Sequence, residues 1–201
     1  MLLIGLTGKA GAGKDTVASM LLEECTGTQV AFADPLRAAA KSIFGLTDEQ
    51  MNDRLLKERE IPYWGRSPRE ILQLLGTEAL RGTFGPDVWV KRAALRLASL
   101  IELERSQPFS SELLIFTDCR FAEEAQWIRE QGGVVIEVMC TGLPSAGVAG
   151  HASESGLPDA LVDLMVINSR QIGLDGLRHV VRQVLEHDIR PLLQQPQRLI
   201  A

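Results

Sequence analysis

With 201 residues, 45% of them apolar and 23% charged, the chain has the size and composition of one globular α/β domain, or of a core carrying one or two insertions. A net charge of −5 supplies no electrostatic reason to expect polymeric nucleic acid or a membrane surface as a partner. Cys25, Cys119 and Cys140 lack zinc-type spacing and cannot all pair. The opening "MLLIGL" has no basic leader, and no apolar run is long enough to span a bilayer, so the expected location is the cytoplasm.

The first element is "LLIGLT" (2–7), a continuous apolar run of the kind that forms a buried parallel strand. It leads into "GKAGAGKDT" (8–16), where Gly8, Gly13 and Lys14 match the phosphate-loop pattern G-x-x-x-x-G-K. Glycines let such a loop curl until successive N–H groups point at phosphate oxygens. The helix N-terminus adds partial positive charge, and the lysine reaches the terminal phosphates. The next position holds a Ser or Thr that binds Mg²⁺ in GTPases and motor ATPases. Here it is Asp15, with Thr16 one place later. Asp15 would then bind the metal through water, or Thr16 would take the phosphate-side hydrogen bond. This suits a nucleotide or small-molecule kinase better than a GTP switch.

A helix over 14–25 puts Val17, Met20, Leu21 and Leu22 on one side, and "VAFA" (30–33) reads as the second strand. Residues 35–105 are helical in pattern and longer than a crossover needs, a natural place for a second substrate. In this stretch the spacing predicts a helix over 68–81, with Ser67 as cap, Pro68 at its first position, Glu70 completing a capping box, and Ile71, Leu74 and Leu75 as the apolar stripe. Arg66 and Arg69 flank that helix start, where backbone amides add to their pull on an anion. Gly76 and Thr77 would let a flat ring approach the backbone, and Trp89 would stack on a base or line the pocket. Each of these has a plainer alternative, the tryptophan as core and the arginines as solvated charge.

A helix over 86–105 precedes the third strand, "LLIFT" (113–117), which ends at Asp118, with Arg120 two residues on. An acid at the carboxyl rim of a parallel sheet can hold Mg²⁺ through water or accept a proton, and the arginine can bind phosphate. A helix over 121–131, strands "VVIEVM" (134–139) and "LMVIN" (164–168), and a helix over 173–188 complete the pattern. The loop 141–158, rich in Gly, Ser and Pro, reads as a lid whose polar landmarks are His151 and Glu154. The alternation predicts a three-layer α/β/α fold around a mostly five-stranded parallel sheet. The expected organisation is one domain over 1–201, with an acceptor-binding helical insertion at about 35–105 and the lid.

Taken in order, "GKDT" at 13–16, "R..LQ.LGTE" from Arg69 to Glu78, "WVK" at 89–91, "TD.R...E" from Thr117 to Glu124, "H.SE.GLP" from His151 to Pro158 and an apolar strand ending at Asn168 resemble the deoxynucleoside monophosphate kinases of tailed bacteriophages. In that family Asp15 and Thr16 are the expected pair. The resemblance implies an adenylate-kinase-like phosphate-loop fold and transfer of the ATP γ-phosphoryl group, with Mg²⁺, to a deoxynucleoside monophosphate. ATP would lie on Lys9, Ala10, Gly11, Ala12, Gly13, Lys14, Asp15 and Thr16. The acceptor would meet Arg69, Gly76, Thr77 and Trp89, with Asp118, Arg120 and Glu124 around its phosphate and sugar. The catalytic set would be Lys14, Asp118 and Arg120, and the metal set Asp15, Thr16 and Asp118. The chain lacks part of the helical insertion of longer family members, so base preference and homodimer formation stay open. So do two other functions. A similar "H.SE.GL" segment occurs in phosphomevalonate kinases, which keeps kinases of other small phosphorylated substrates (dephospho-coenzyme A included) in view. A non-catalytic ATP-binding regulator is the other.

Overall fold

In chain order, the computed structural model forms β1 (Leu2–Thr7), α1 (Lys14–Glu24), β2 (Gly27–Val30), α2 (Asp34–Phe44), α3 (Asp48–Asn52), α4 (Arg54–Glu58) and α5 (Pro68–Gln73). A π-helical segment (Leu74–Arg81) leads to α6 (Gly82–Phe84) and α7 (Val88–Arg105). Then come β3 (Leu113–Phe116), α8 (Ala122–Glu130), β4 (Val134–Thr141), β5 (Leu164–Ser169) and α9 (Gly173–Val184), with a second π-helical turn (Leu185–Ile189) running into α10 (Arg190–Leu193). The structure describes residues 1–106, 111–141, 156–169 and 171–195. His151, Glu154 and most of the expected lid lie outside the described residues.

The chain divides into two compact units, one of residues 1–31 and 93–201, the other of 32–92. All five strands belong to the first. They form one wholly parallel sheet in the order β2-β3-β1-β4-β5. β1 is central and buried along its whole length, which is why it reads as unbroken apolar sequence. On one face Leu2, Ile4 and Leu6 pack with Val17, Met20 and Leu21 of α1 and with Leu177 and Val181 of α9. Each of these fully buried aliphatic side chains contributes about 1.5–3 kcal/mol through its removal from water. Gly5 points to the other face, where a side chain at its position would run into Ile128 of α8. Helices therefore cover both sides, as the sequence pattern required.

The second strand departs from expectation. Pairing with β3 runs from Gly27 to Val30, whereas "VAFA" placed the strand at 30–33. β2 is an edge strand exposed at Gly27, Thr28 and Gln29, so its hydrophobic signal is absent and the neighbouring apolar run misled the assignment.

The second unit is built from short helices around Ala40, Leu46, Met51 and Ile71, with Phe44, Ile61, Leu72 and Leu75 packed against them. Its turns are capped by side chains. Thr47 and Gln50 form a capping box on α3, and Asp53 accepts from the N–H groups of Leu55 and Leu56 at the start of α4. Ser67 and Glu70 form the expected box at α5. The continuous helix expected over 68–81 is instead α-helical to Gln73 and π-helical from Leu74. The wider turn changes the side-chain period, so Ile71 is buried while Leu74, assigned to the same stripe, is 47% exposed.

Candidate active site

The loop between β1 and α1 is set by three glycines at positive φ, Gly8, Gly11 and Gly13. At Gly8 (φ 126°) a Cβ would lie 2.2 Å from the backbone oxygen of Val138, so only glycine fits both the torsion and the space. Four of the loop's carbonyls, those of Gly8, Lys9, Ala12 and Gly13, accept hydrogen bonds. Lys9 O accepts from Ala12 N at 3.1 Å, Gly13 O accepts from Val17 N at 2.9 Å, and Ala12 O accepts from Nδ2 of Asn168 at 2.9 Å. The Lys14 ammonium donates to Gly8 O at 2.7 Å and to Lys9 O at 3.1 Å, which folds it over the loop. Lys9 and Gly11 are exposed, Ala10 and Gly13 are half-buried and Ala12 is buried. Asp15 and Thr16 stand in the first turn of α1, the end of a helix that favours anions. Asp15 is exposed and its Oδ1 accepts from Nε2 of Gln29 on β2 at 3.0 Å.

β3 lies beside β1 in the sheet, so the loops that leave both strands share the carboxyl rim. Thr117 N donates to Val30 O, and Cys119 N donates to Leu6 O at 3.1 Å, which pins the turn carrying Asp118 to both neighbouring strands. Asp118 and Arg120 are half-buried. Asp118 is not a helix cap, because α8 starts at Ala122, with Phe121 before it. Glu124 is 2% exposed, and its Oε2 accepts from the N–H groups of Arg120 at 2.8 Å and Phe121 at 3.1 Å. It thereby satisfies orphan donors at the start of α8 and fixes the backbone of Arg120. Burial, with Glu124 and Asp118 nearby, pushes the Cys119 thiol well above its usual range, which favours the protonated form.

A family model described as deoxynucleotide monophosphate kinase matches residues 49–177. The chain belongs to the deoxynucleotide monophosphate kinase family. It is therefore an enzyme, a kinase of the phosphotransferase class. A protein of Acanthamoeba polyphaga mimivirus assigned as a deoxynucleotide monophosphate kinase is 32% identical over 183 residues, covering 86% of this chain and 91% of that one. The deoxynucleoside-5′-monophosphate kinase of Escherichia phage T5 is 24% identical over 95% of this chain and 98% of its own length. Among solved structures, TT1252 from Thermus thermophilus superposes with a TM-score of 0.50 at 21% identity, over 93% of this chain and 97% of that one. That similarity bears on the fold, an α/β architecture with helices flanking a parallel sheet.

Of the residues expected at the acceptor side of this kinase, Arg69, Gly76, Thr77 and Trp89 fall on the second unit, and Asp118, Arg120 and Glu124 on the first. Arg69 is largely buried, with 12% of its side chain exposed, and pairs with Glu58, while Arg66 is exposed. Gly76 and Thr77 lie in the π-helical segment, a local geometry that often marks functional sites. Trp89 is 8% exposed, and its indole N–H donates to Gly76 O at 3.2 Å, so it braces that segment from within the same unit. Two residues of the phosphate loop's surroundings escaped sequence reasoning. Asn168 and Gln29 come from β5 and β2, and no local spacing links either one to the loop it touches.

The donors around the loop suit Mg²⁺. Asp15, Thr16 and Asp118 offer hard oxygen atoms, and among the described residues no group of three or more His, Cys, Asp or Glu side chains forms a metal cage. Mg²⁺ is typically held by one or two carboxylates, water and substrate phosphates, which this set can supply.

Proposed function

We propose that this kinase transfers the γ-phosphoryl group of ATP to the 5′-phosphate of a deoxynucleoside monophosphate, giving the deoxynucleoside diphosphate and ADP for nucleotide precursor supply. The observation that carries this reading is the glycine-curled loop, with Lys14 folded over it, beside the Asp118–Arg120 turn on the adjacent strand.

An oxygen of the acceptor phosphate attacks the γ-phosphorus. The bond to the β–γ bridging oxygen breaks, and its electron pair leaves with ADP. The attacking oxygen is already ionised near neutral pH, so a strong general base is unnecessary. Catalysis is alignment and charge neutralisation. The loop from Lys9 to Thr16 binds the ATP phosphates through its backbone N–H groups, Lys14 neutralises the terminal phosphates, and Arg120 holds the phosphate in transit. Bound Mg²⁺ would supply charge neutralisation across the phosphates, held by Asp15, Thr16 and Asp118 directly or through water. The unit of residues 32–92 receives the acceptor, with Arg69 for its phosphate and Gly76, Thr77 and Trp89 shaping the base pocket. The cytoplasm is the proposed location, that of the host for a phage-encoded chain. Three free thiols support it, and no helix among the described residues is long and apolar enough to cross a membrane.

The test is ADP release from Mg·ATP in the presence of a panel of deoxy- and ribonucleoside monophosphates and phosphomevalonate. Acceptor-dependent ADP with one or more deoxynucleotides, and the matching diphosphate as product, supports the proposal. Turnover with phosphomevalonate alone moves the acceptor to another small phosphorylated molecule. ATP binding without any turnover makes the chain a regulator.

A further inference from the structure

We propose that Asn168, at the end of β5, is a positioning residue that aims a phosphate-binding N–H of the loop between β1 and α1. The inference rests on ATP being the ligand of that loop.

Asn168 is 156 positions from the residue it holds. Its Nδ2 donates to Ala12 O at 2.9 Å, and the side chain is half-buried at this contact. The peptide linking Ala12 to Gly13 is planar and trans, so its C=O and its N–H point in opposite directions. Holding Ala12 O toward β5 therefore turns the N–H of Gly13 the other way, to the side where the loop curls around phosphate. Gly13 sits at φ 99°, and rotation of a peptide beside a glycine is sterically cheap. The backbone alone thus fixes that N–H poorly, and a second anchor is needed. The geometry also gives Gly13 a second reason to be glycine. A Cβ there would lie 2.6 Å from Nδ2 of Asn168, so glycine makes room for the side chain that orients its own peptide. Three other carbonyls of the loop are held by neighbours in sequence: those of Gly8 and Lys9 by Lys14, and that of Gly13 by Val17. Ala12 is held from a different strand, so β5 sets the geometry of a loop that β1 begins.

The experiment measures Mg·ATP binding by calorimetry without acceptor, for wild type, Asn168→Ala and Asn168→Asp, with thermal melts on each. Aspartate keeps the shape of asparagine but replaces the donor with an acceptor. A residue that only fills space would tolerate Asp better than Ala, whereas a residue that donates to Ala12 O would tolerate Asp no better. We expect both variants to bind ATP about tenfold or more weakly, the scale of one hydrogen bond to a charged group, with Asp at least as impaired as Ala. Deoxynucleoside monophosphate affinity should stay near the wild-type value. Asn168→Ser, which retains a shorter donor, should fall between wild type and Ala, and it carries the comparison should Ala fail to fold. Wild-type-like ATP affinity in the Asp variant, or in both variants, overturns the proposal. Failure of the wild type itself to bind ATP overturns the nucleotide assignment on which it stands.

Discussion

Gln29 on the edge strand β2 donates its side-chain amide to Asp15, the residue that occupies the usual hydroxyl position of the phosphate loop, at 3.0 Å. The bond crosses from an exposed strand to the first turn of α1 and restricts where the Asp15 carboxylate can point. If Asp15 serves Mg²⁺, Asp15→Ser should raise the Mg²⁺ concentration for half-maximal activity, and Gln29→Ala should shift it the same way by less. Both residues are exposed, so Tm should barely change, within about 0.5 kcal/mol of wild-type stability. A magnesium titration at saturating ATP checks this, and an unchanged midpoint in both variants rejects the role.

Lys14→Ala and Arg120→Ala should each lower kcat by about a hundredfold or more, the scale of losing one preorganised charge at the reacting phosphates. Neither side chain belongs to the hydrophobic core, so circular dichroism and melting should remain close to wild type. Near-normal turnover in a folded variant would remove that residue from the catalytic set.

Gly8→Ala should be far more damaging to folding than either charge removal. The added methyl would meet the Val138 carbonyl at 2.2 Å, and that carbonyl belongs to a central strand that cannot give way. Together with the positive φ, this predicts a loss of about 3 kcal/mol, read as a lowered urea midpoint.

The capping box at α5 should make the second unit acid-sensitive. The Ser67 backbone N–H, followed by its hydroxyl, holds the Glu70 carboxyl below the usual glutamate range. Because the folded pKa is the lower one, its contribution is complete above the unfolded pKa and is lost as pH falls through the depressed folded pKa. Glu70→Gln keeps the side chain's shape and removes the titration, so its melting temperature should fall less between pH 6 and about pH 3 than that of wild type. Equal losses would place the acid sensitivity elsewhere. Ser67→Ala removes the reciprocal bond at all pH values and should cost about 1 kcal/mol.

Cys119 should resist thiol reagents in the native state, since burial and the two nearby carboxylates keep it protonated. Cys140, which is only half-buried, should react first. Native-state labelling at Cys119, read by peptide mapping, would contradict the packing of the β3–α8 turn.

The order of elements, the phosphate loop and the α5 capping box were legible in the sequence because their signals are local. Continuous apolar runs mark strands buried on both faces, glycines at 8, 11 and 13 mark a loop that must curl, and Ser67 with Glu70 closes a cap within one turn. What the sequence hid depends on chain segments far apart. β2 was displaced because an exposed edge strand carries no hydrophobic pattern, and its place is set by pairing with β3, more than eighty residues later. The same holds at the site. Glu124 could not be distinguished as a buried helix cap until α8 lay against the sheet, and Trp89 found its partner only when the π-helical segment presented the Gly76 carbonyl. The sequence determined where the glycine-curled loop and its lysine stand in the chain. The parallel sheet decided which strands stand side by side, and with that which distant side chains, Asn168 and Gln29 among them, hold the loop in shape.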